Sequence, residues 1–378
     1  MQPVSLVSSS KIIAGFFDLL PVAYSLRGRD EVTMANYSIL DLVPITEGSN
    51  ASTALERSKE LAILADESGF TRYWVAEHHN MPGIASSATS VVIGHLAAAT
   101  KRIRVGSGGI MLPNHAPLVV AEQFGTLASL YPDRIDLGLG RAPGTDGLTM
   151  QALRRNLEAN VDDFPRDVVE LQHYLKPHQA GQRVVATPGT GTNVPIWILG
   201  SSLFGAQLAA LLGLPFAFAS HFAPTYLDTA LRIYREKFKP SETLDAPYVI
   251  VGANLCIADT DEEATFLRSS ALQSFVNLRR GQPGPLPKPV DGFESSLNPG
   301  EQQMMQDIGH VSAIGSESTA RNAIIDILNR TEADEIMFVS GIWDHQKRLA
   351  SYRHGAEVMQ SIDARASGSA AAAEPITA

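Results

Sequence analysis

Short apolar segments alternate with longer amphipathic segments along most of the chain. The short segments are rich in β-branched and aromatic residues and are bounded by Gly, Pro or Asn, which predicts β-strands. The eight predicted strands are 38–42, 73–76, 103–106, 135–140, 196–199, 216–219, 249–257 and 335–340. The helices predicted after them are 51–68, 86–99, 118–130, 162–175, 203–212, 226–237, 262–278 and 346–362. Eight successive strand–helix units predict an α/β fold, a closed (β/α)8 TIM barrel.

Local signals agree with these helices. Thr260 and Glu263 form a capping-box pattern at the start of one helix, and Gly69 and Gly213 stand where two others should end. An open, doubly wound sheet is the alternative fold. It usually carries a GxGxxG turn after its first strand, whereas this chain reads VPITEG there, which favours the barrel.

Two connections are longer than such a barrel requires. One follows the fourth strand at 176–194, and the other follows the seventh strand at 279–312. A long segment that leaves the C-terminal end of a barrel strand can cover an active site. We expect the Pro- and Gly-rich segment 279–312 to be such a lid, and an ordinary surface loop is the alternative.

The two ends of the chain lack the alternating pattern. Residues 1–34 are predicted to be an N-terminal extension, either a translated leader ahead of Met34 or a poorly ordered segment. Residues 35–365 form the predicted barrel domain. Residues 366–378 are mostly Ala, Ser and Gly, which bury too little apolar surface to order themselves, so a disordered tail is predicted.

Charge and cysteine content narrow the function classes. The formal net charge of −10 and the absence of a basic run argue against nucleic acid and anionic membranes as partners. The single cysteine, Cys256, rules out an intramolecular disulfide and a cysteine-rich metal site. A cytoplasmic protein is therefore expected.

Glu77, His78 and His79 directly follow the second predicted strand, at the end of a barrel where active sites are built. A histidine there can act as an acid or a base near neutral pH, and an adjacent carboxylate can orient it. A metal site is disfavoured, because neighbouring residues of an extended strand point to opposite faces. His78 and Glu77 are therefore the candidate catalytic residues, and a structural histidine is the alternative.

Glycines accumulate at the end of the third strand, where the chain reads GSGGIMLPNH. Gly108 and Gly109 would let a flat ligand lie against the backbone, although a β-bulge without a ligand is equally compatible with the pattern. If a ligand does lie there, a larger side chain at position 109 should block it and leave the fold largely intact.

Two further clusters have the composition of an anion site. Arg141 follows the fourth strand, and its guanidinium could bind a phosphate through two hydrogen bonds. A salt bridge with Asp133 or Asp146 is equally compatible with the sequence. Residues 200–202 (GSS) lie between the fifth strand and the next helix, where backbone N–H groups and two hydroxyls can bind an anion. Helix capping by either serine is the alternative, and it does not exclude anion binding.

Four motifs, taken together, resemble the bacterial luciferase-like flavin-dependent monooxygenase family. They are YWVAEHH, VGSGGIMLPNHAPLVVAEQFGTL, YPDRIDLGLGRAPG and PIWILGSSLFGAQLAALLGLPFAFA, in that order and at family-like spacing. The resemblance covers residues 37–362. It implies that His78 is the catalytic histidine and that a non-prolyl cis peptide between two glycines lies beneath the isoalloxazine ring of FMN. The predicted cofactor-binding residues are Gly108, Gly109, Arg141, Gly200, Ser201 and Ser202.

The resemblance also implies a reaction. Reduced FMN, supplied by a separate reductase in transient contact, reacts with dioxygen, and the flavin hydroperoxide transfers oxygen to a small organic substrate such as an aldehyde. This chemistry requires that water is excluded. We further expect a homodimer. Two alternatives stay open, a deazaflavin-dependent oxidoreductase on the same barrel and a flavin-binding protein without a substrate.

Overall fold

The computed structural model describes residues 35–142, 147–153 and 163–372, so the predicted N-terminal extension lies outside it. The strands are β1 (Asn36–Asp41), β2 (Arg72–Val75), β3 (Arg104–Met111), β4 (Ile135–Gly140), β5 (Ile196–Gly200), β6 (Phe216–Phe218), β7 (Val249–Ile257), β8 (Ser312–Gly315) and β9 (Glu335–Val339). The helices are α1 (Ala51–Glu67), α2 (Thr89–Ala99), α3 (Pro117–Leu130), α4 (Gly147–Leu153), α5 (Phe164–Leu175), α6 (Leu203–Leu212), α7 (Leu227–Lys237), α8 (Asp261–Arg279), α9 (Pro299–Gly309), α10 (Glu317–Thr331) and α11 (His345–Ala372).

Eight of these strands close into a parallel barrel. Strands β1 to β7 pair in chain order, and β9 closes the ring because it pairs with both β7 and β1. The predicted TIM barrel is therefore confirmed, and each of the eight predicted strands coincides with a barrel strand. Strand β8, which was not predicted from the sequence, pairs with residues Asn254 to Ile257 in the second half of β7.

Local sequence explains several helix ends. The Thr260 side chain accepts a hydrogen bond from the backbone N–H of Glu263 at 3.2 Å, so Thr260 caps α8 as predicted. Asn298 and Glu301 form a complete capping box at α9. Gly213 ends α6 in the left-handed conformation (φ +62°), which glycine adopts without steric cost. Helix α11 continues through the predicted domain boundary at residue 365, and the domain limits stay predictions.

The two long connections lie at different ends of the barrel. The segment 176–194 follows α5 and enters the N-terminal end of β5, so it is distant from the C-terminal ends of the strands. Between β7 and β9 the chain instead forms α8, α9 and β8 before α10 returns to the barrel. Helix α10, which leads into β9, packs on β7 and α11, and a second helix at 318–330 that leads into the last strand is also what the sequence predicts. No helix among the described residues is long and apolar enough to span a membrane.

The inside of the barrel is filled by alternate residues of its strands, because successive side chains of a strand point to opposite faces. Leu40, Trp74, Trp197, Ile250 and Met337 form this inner cluster. Trp74 and Trp197 contact each other edge to face, with ring centroids 5.3 Å apart. This inner layer separates the two ends of the barrel.

The N-terminal end of the interior carries buried charges that are all paired. Arg72 lies 2.8 Å from Asp136 and 3.0 Å from Glu335, and neither carboxylate is exposed. Arg104 also pairs with Asp136 at 2.6 Å, and the Tyr248 hydroxyl donates to Glu335 at 2.9 Å. Two guanidinium groups therefore compensate two buried carboxylates.

Candidate active site

A cavity of about 740 Å³ opens at the C-terminal ends of the barrel strands. Its lining is predominantly apolar. It contains seven of the eight predicted site residues, namely His78, Gly108, Gly109, Arg141, Gly200, Ser201 and Ser202. Glu77 does not line it.

His78 leaves the end of β2 and faces this cavity. The Ser87 hydroxyl donates to the His78 backbone carbonyl at 2.7 Å, which fixes the turn that carries it. Its buried Nδ1 has no hydrogen-bond partner among the described residues. Burial lowers the pKa of His78, and the negative charge of Glu77 opposes this shift only in part. The imidazole is therefore neutral near neutral pH and has a nitrogen left for a ligand.

Glu77 is hydrogen-bonded to two histidines other than His78. Its carboxylate is 1% exposed, and one oxygen is 2.7 Å from His79 Nε2 and 2.9 Å from His115 Nε2. The backbone N–H of Met111 donates to the other oxygen at 3.1 Å. The expectation that Glu77 orients His78 directly is therefore wrong, because its hydrogen bonds tie the end of β2 to the end of β3. Sequence spacing could not reveal His115 as the partner.

Glu77, His79 and His115 also bring three potential metal ligands within 4.8 Å of one another. The hydrogen bonds between the carboxylate and the two imidazoles use these same atoms, so an ion would have to replace both bonds. Hydrogen bonding thus accounts for the cluster, and the expectation of no metal stays a prediction.

The peptide bond between Gly108 and Gly109 is cis, as the family resemblance implied. Packing explains why both positions are glycine. A Cβ at Gly108 would lie 2.6 Å from Leu40 Cδ1, and one at Gly109 would lie 2.7 Å from the carbonyl oxygen of Gly138 on β4. A larger residue at 109 would disturb the pairing of β3 with β4, so the expectation that the fold would tolerate it is wrong.

Arg141 emerges from β4 into the cavity. Its guanidinium carbon lies 4.1 Å above the ring of Phe204, the second residue of α6. It makes no ion pair with Asp133 or with any other residue of the described ranges, and Asp146 lies outside them. The stacking leaves the edge of the guanidinium available to an anion.

The N-terminus of α6 lies beside Arg141 in the same cavity. Ser202 is the N-cap residue, yet its hydroxyl makes no capping hydrogen bond. Gly200 and Gly205 approach closely, since a Cβ on Gly200 would lie 3.5 Å from the Gly205 Cα. This contact brings the helix end, with its unsatisfied N–H groups and positive dipole, next to β5. Arg141, Ser201 and Ser202 thus have the composition and placement of an anion site.

The opposite wall of the cavity contains a histidine that the sequence analysis missed. His221 follows β6, and its Nδ1 is buried without a hydrogen-bond partner among the described residues. Burial lowers the pKa of His221 to about 4. Gly252 and Asn254 of β7 line the cavity beside it. His221 stands directly after a strand, so the rule that selected His78 would have selected it as well.

Helix α8 and the segment after it cover the mouth of the barrel. Leu272, Phe275 and Leu278 of α8 line the cavity, and so does Leu286 farther along the chain. The Leu286 backbone N–H donates to the carbonyl of Ile45 at 2.7 Å, which ties the segment to the connection after β1. The predicted cover therefore lies over the cavity, as a packed structure that begins at α8 rather than at residue 279.

Comparison with known proteins gives a consistent result. The luciferase-like monooxygenase family model matches residues 36–331. A luciferase-like monooxygenase of Escherichia coli (strain K12) is 52% identical over 326 residues, which cover 86% of this chain and 97% of the relative. The crystal structure of apo-MsnO8 is 35% identical with a TM-score of 0.80 and covers 86% of this chain and 98% of its own.

More distant structures show the fold alone. The oxygenating constituent of 3,6-diketocamphane monooxygenase from Pseudomonas putida, in complex with FMN, is 18% identical with a TM-score of 0.63 over 85% of this chain and 96% of its own. F420-dependent enzymes at 15% identity share the same barrel. Flavin-type cofactors thus recur among the neighbours. On the family match and the close relatives, the chain belongs to the luciferase-like monooxygenase family.

Proposed function

We propose that this protein is an FMN-dependent monooxygenase that oxygenates a small, largely apolar organic substrate. It would take reduced FMN from a separate flavin reductase and use dioxygen as the oxidant. The observation that carries the proposal is one cavity in which an anion site, a backbone wall of two glycines and a neutral histidine lie together.

The residues at β4 and β5 fit a phosphate. Arg141 offers a guanidinium already positioned on Phe204, and it has no competing ion pair with a described residue. The hydroxyl of Ser202 is not used for capping, and the α6 terminus supplies N–H donors. These groups would hold the phosphate of FMN.

The end of β3 fits a flat ring. The side of Gly108 and Gly109 that faces the cavity is bare backbone, because neither residue has a side chain there. Bound there, reduced FMN would supply the electrons that activate dioxygen for transfer of one oxygen atom. His78 follows the neighbouring strand β2 and lines the cavity, where its neutral imidazole can accept a proton.

The cover over the cavity supports oxygenation in particular. Water in the site would favour release of hydrogen peroxide over transfer of oxygen to the substrate. Leu272, Phe275 and Leu278 of α8 present apolar side chains to the cavity, and Met305 and Ile308 of α9 stand among the lining residues. Such apolar side chains would limit water near the reacting groups and would favour an apolar substrate.

The experiment is turnover with reduced FMN and ¹⁸O₂ on a panel of aldehydes and aromatic compounds, read by mass spectrometry. We expect a product that carries one ¹⁸O atom and that forms only with reduced FMN. His78→Ala serves as the control for background oxidation. Turnover with reduced F420 and no oxygen incorporation would instead establish the deazaflavin-dependent oxidoreductase.

A further inference from the structure

The position of His221 is set by three neighbouring groups. The Asn254 side-chain amide donates to the His221 carbonyl at 2.8 Å, and the Ser220 hydroxyl donates to the Gly252 carbonyl at 2.6 Å. The imidazole lies against Gly252, where an added Cβ would stand 2.6 Å from Nδ1. Glycine at 252 therefore creates the space that the imidazole occupies.

The imidazole has a polar atom that the described part of the protein leaves unsatisfied. Nδ1 is buried and has no partner there, whereas the large majority of buried polar side-chain atoms in folded proteins are hydrogen-bonded. Its other contact is with Phe222, whose ring centroid is 5.0 Å away. The side chain as a whole is only partly buried and lines the cavity, so a ligand there can hydrogen-bond to the imidazole.

The barrel topology places His221 on the side of the cavity away from the proposed cofactor wall. In the ring of eight strands, β6 is four strands from β2, which carries His78, and β7 is four strands from β3, which carries the glycine pair. A flavin ring on β3 would thus turn its free face towards His221 and Asn254. The anion site lies between these walls, on β4 and β5.

We propose that His221 is a substrate-binding residue that recognises an uncharged hydrogen-bonding group, a hydroxyl or a carbonyl, on an otherwise apolar substrate. This inference rests on the proposed function, because the flavin defines which side of the cavity remains for the substrate. Gly252 and Asn254 act as positioning residues, since they hold the imidazole in place and do not themselves bind the polar group of the substrate.

An uncharged group is favoured by the surroundings of the imidazole. Asn254 and Ser312, whose polar atoms lie 3.3 Å apart, line this part of the cavity, and both are neutral. The arginines of the cover, Arg268 and Arg279, belong to α8 and could attract a carboxylate instead. A charged analogue is therefore included in the test.

The test uses benzyl alcohol, toluene and benzoate, which share one ring and differ in the polar group. Binding to the FMN-loaded protein is measured by isothermal titration calorimetry for the unmodified chain, His221→Phe and Gly252→Ala. We expect both variants to bind benzyl alcohol about threefold to tenfold more weakly, which is the range for one neutral hydrogen bond. Their affinity for toluene should change by less than about twofold. His178→Phe, an exposed histidine in segment 176–194, is the matched control and should change neither.

Other outcomes overturn the inference. These are no detectable binding of benzyl alcohol to the unmodified protein, equal changes for benzyl alcohol and toluene, or the largest loss for benzoate. A tenfold loss of FMN affinity in His221→Phe would assign the residue to the cofactor and leave the proposed function intact. If FMN fails to bind the unmodified protein, the proposed function fails, and the same titrations on flavin-free protein still decide whether His221 recognises the hydroxyl.

Discussion

The charged cluster at the N-terminal end of the barrel interior and the two cavity histidines at its C-terminal end differ in their partners. At the N-terminal end, Arg72 lies between Asp136 and Glu335, and each of these buried charges has a partner. At the C-terminal end, Nδ1 of His78 and of His221 are buried without partners in the described part of the chain. Paired charges hold strands together, whereas imidazole side chains that line a cavity can contact a ligand. The contrast distinguishes side chains that stabilise this barrel from side chains that we propose bind a ligand in its cavity.

The largest effect is expected at the paired end. Arg72→Met removes the cation between two carboxylates that have no exposed surface, and it leaves them near each other without that compensation. We expect a loss of about 3–5 kcal/mol in the free energy of unfolding, measured by urea denaturation. Lys176→Ala is the control, since its ion pair with Glu242 is exposed and should contribute less than about 1 kcal/mol. Similar losses in the two variants would show that the buried ion pairs of Arg72 stabilise the barrel no more than an exposed ion pair does.

At the unpaired end, His78→Ala should affect chemistry and spare the fold. Its Nδ1 loses no hydrogen bond to a described residue, so stability should change little, while product formation should fall by about 10²-fold or more. Turnover and urea denaturation are measured on the same preparation. His79→Ala should do the reverse, because His79 is hydrogen-bonded to the buried Glu77. Unchanged turnover in His78→Ala would withdraw its catalytic assignment.

Arg141 tests the anion site between the two histidines. Because Arg141 has no ion pair with a described residue, Arg141→Ala should leave stability nearly unchanged. The variant should weaken the binding free energy of FMN by about 1.5–3 kcal/mol, the scale for a charged hydrogen bond. Riboflavin, which lacks the phosphate, should lose much less. Fluorescence titration of both flavins gives the comparison. Equal losses of affinity for FMN and riboflavin would show that Arg141 does not bind the phosphate.

A further effect should appear in the pH dependence of stability. Burial lowers the pKa of His221 from 6.5 to about 4, so between these values the unfolded chain binds more protons than the folded protein. Stability should therefore fall as pH falls through this window, by at most about 1.4 kcal/mol per pH unit from this residue. Urea denaturation from pH 7 to pH 4 should show a shallower slope in His221→Phe. Parallel slopes would mean that the imidazole is solvated.

The barrel could be predicted from sequence because its eight strands are bounded apolar segments of ordinary length. Strand β8 was missed because SAIG is four residues long and follows a polar helix. The cavity residues at or just after the C-terminal ends of β2 to β5 could be predicted because barrel topology places such positions together. The true partners of Glu77 could not, because His115 lies 38 residues away and meets it only in the folded protein.

The same reasoning could have predicted His221 and the buried charges at the N-terminal end of the barrel. Arg72, Asp136 and Glu335 are charged residues in predicted strands or at their edges, a pattern that indicates buried ion pairs at one end of a barrel. His221 was overlooked because it stands alone, whereas Glu77, His78 and His79 form a visible cluster. A single polar residue becomes informative only when its surroundings show that it has no partner.

The most direct test is a crystal structure of the unmodified protein with bound FMN. We expect the phosphate at Arg141, Ser201 and Ser202, and the ring against Gly108 and Gly109 with its free face towards His221. His78 and His221 would then both lie near the ring. An FMN bound outside this cavity, or with its phosphate away from Arg141 and the α6 N-terminus, would show that the proposed cofactor site is wrong.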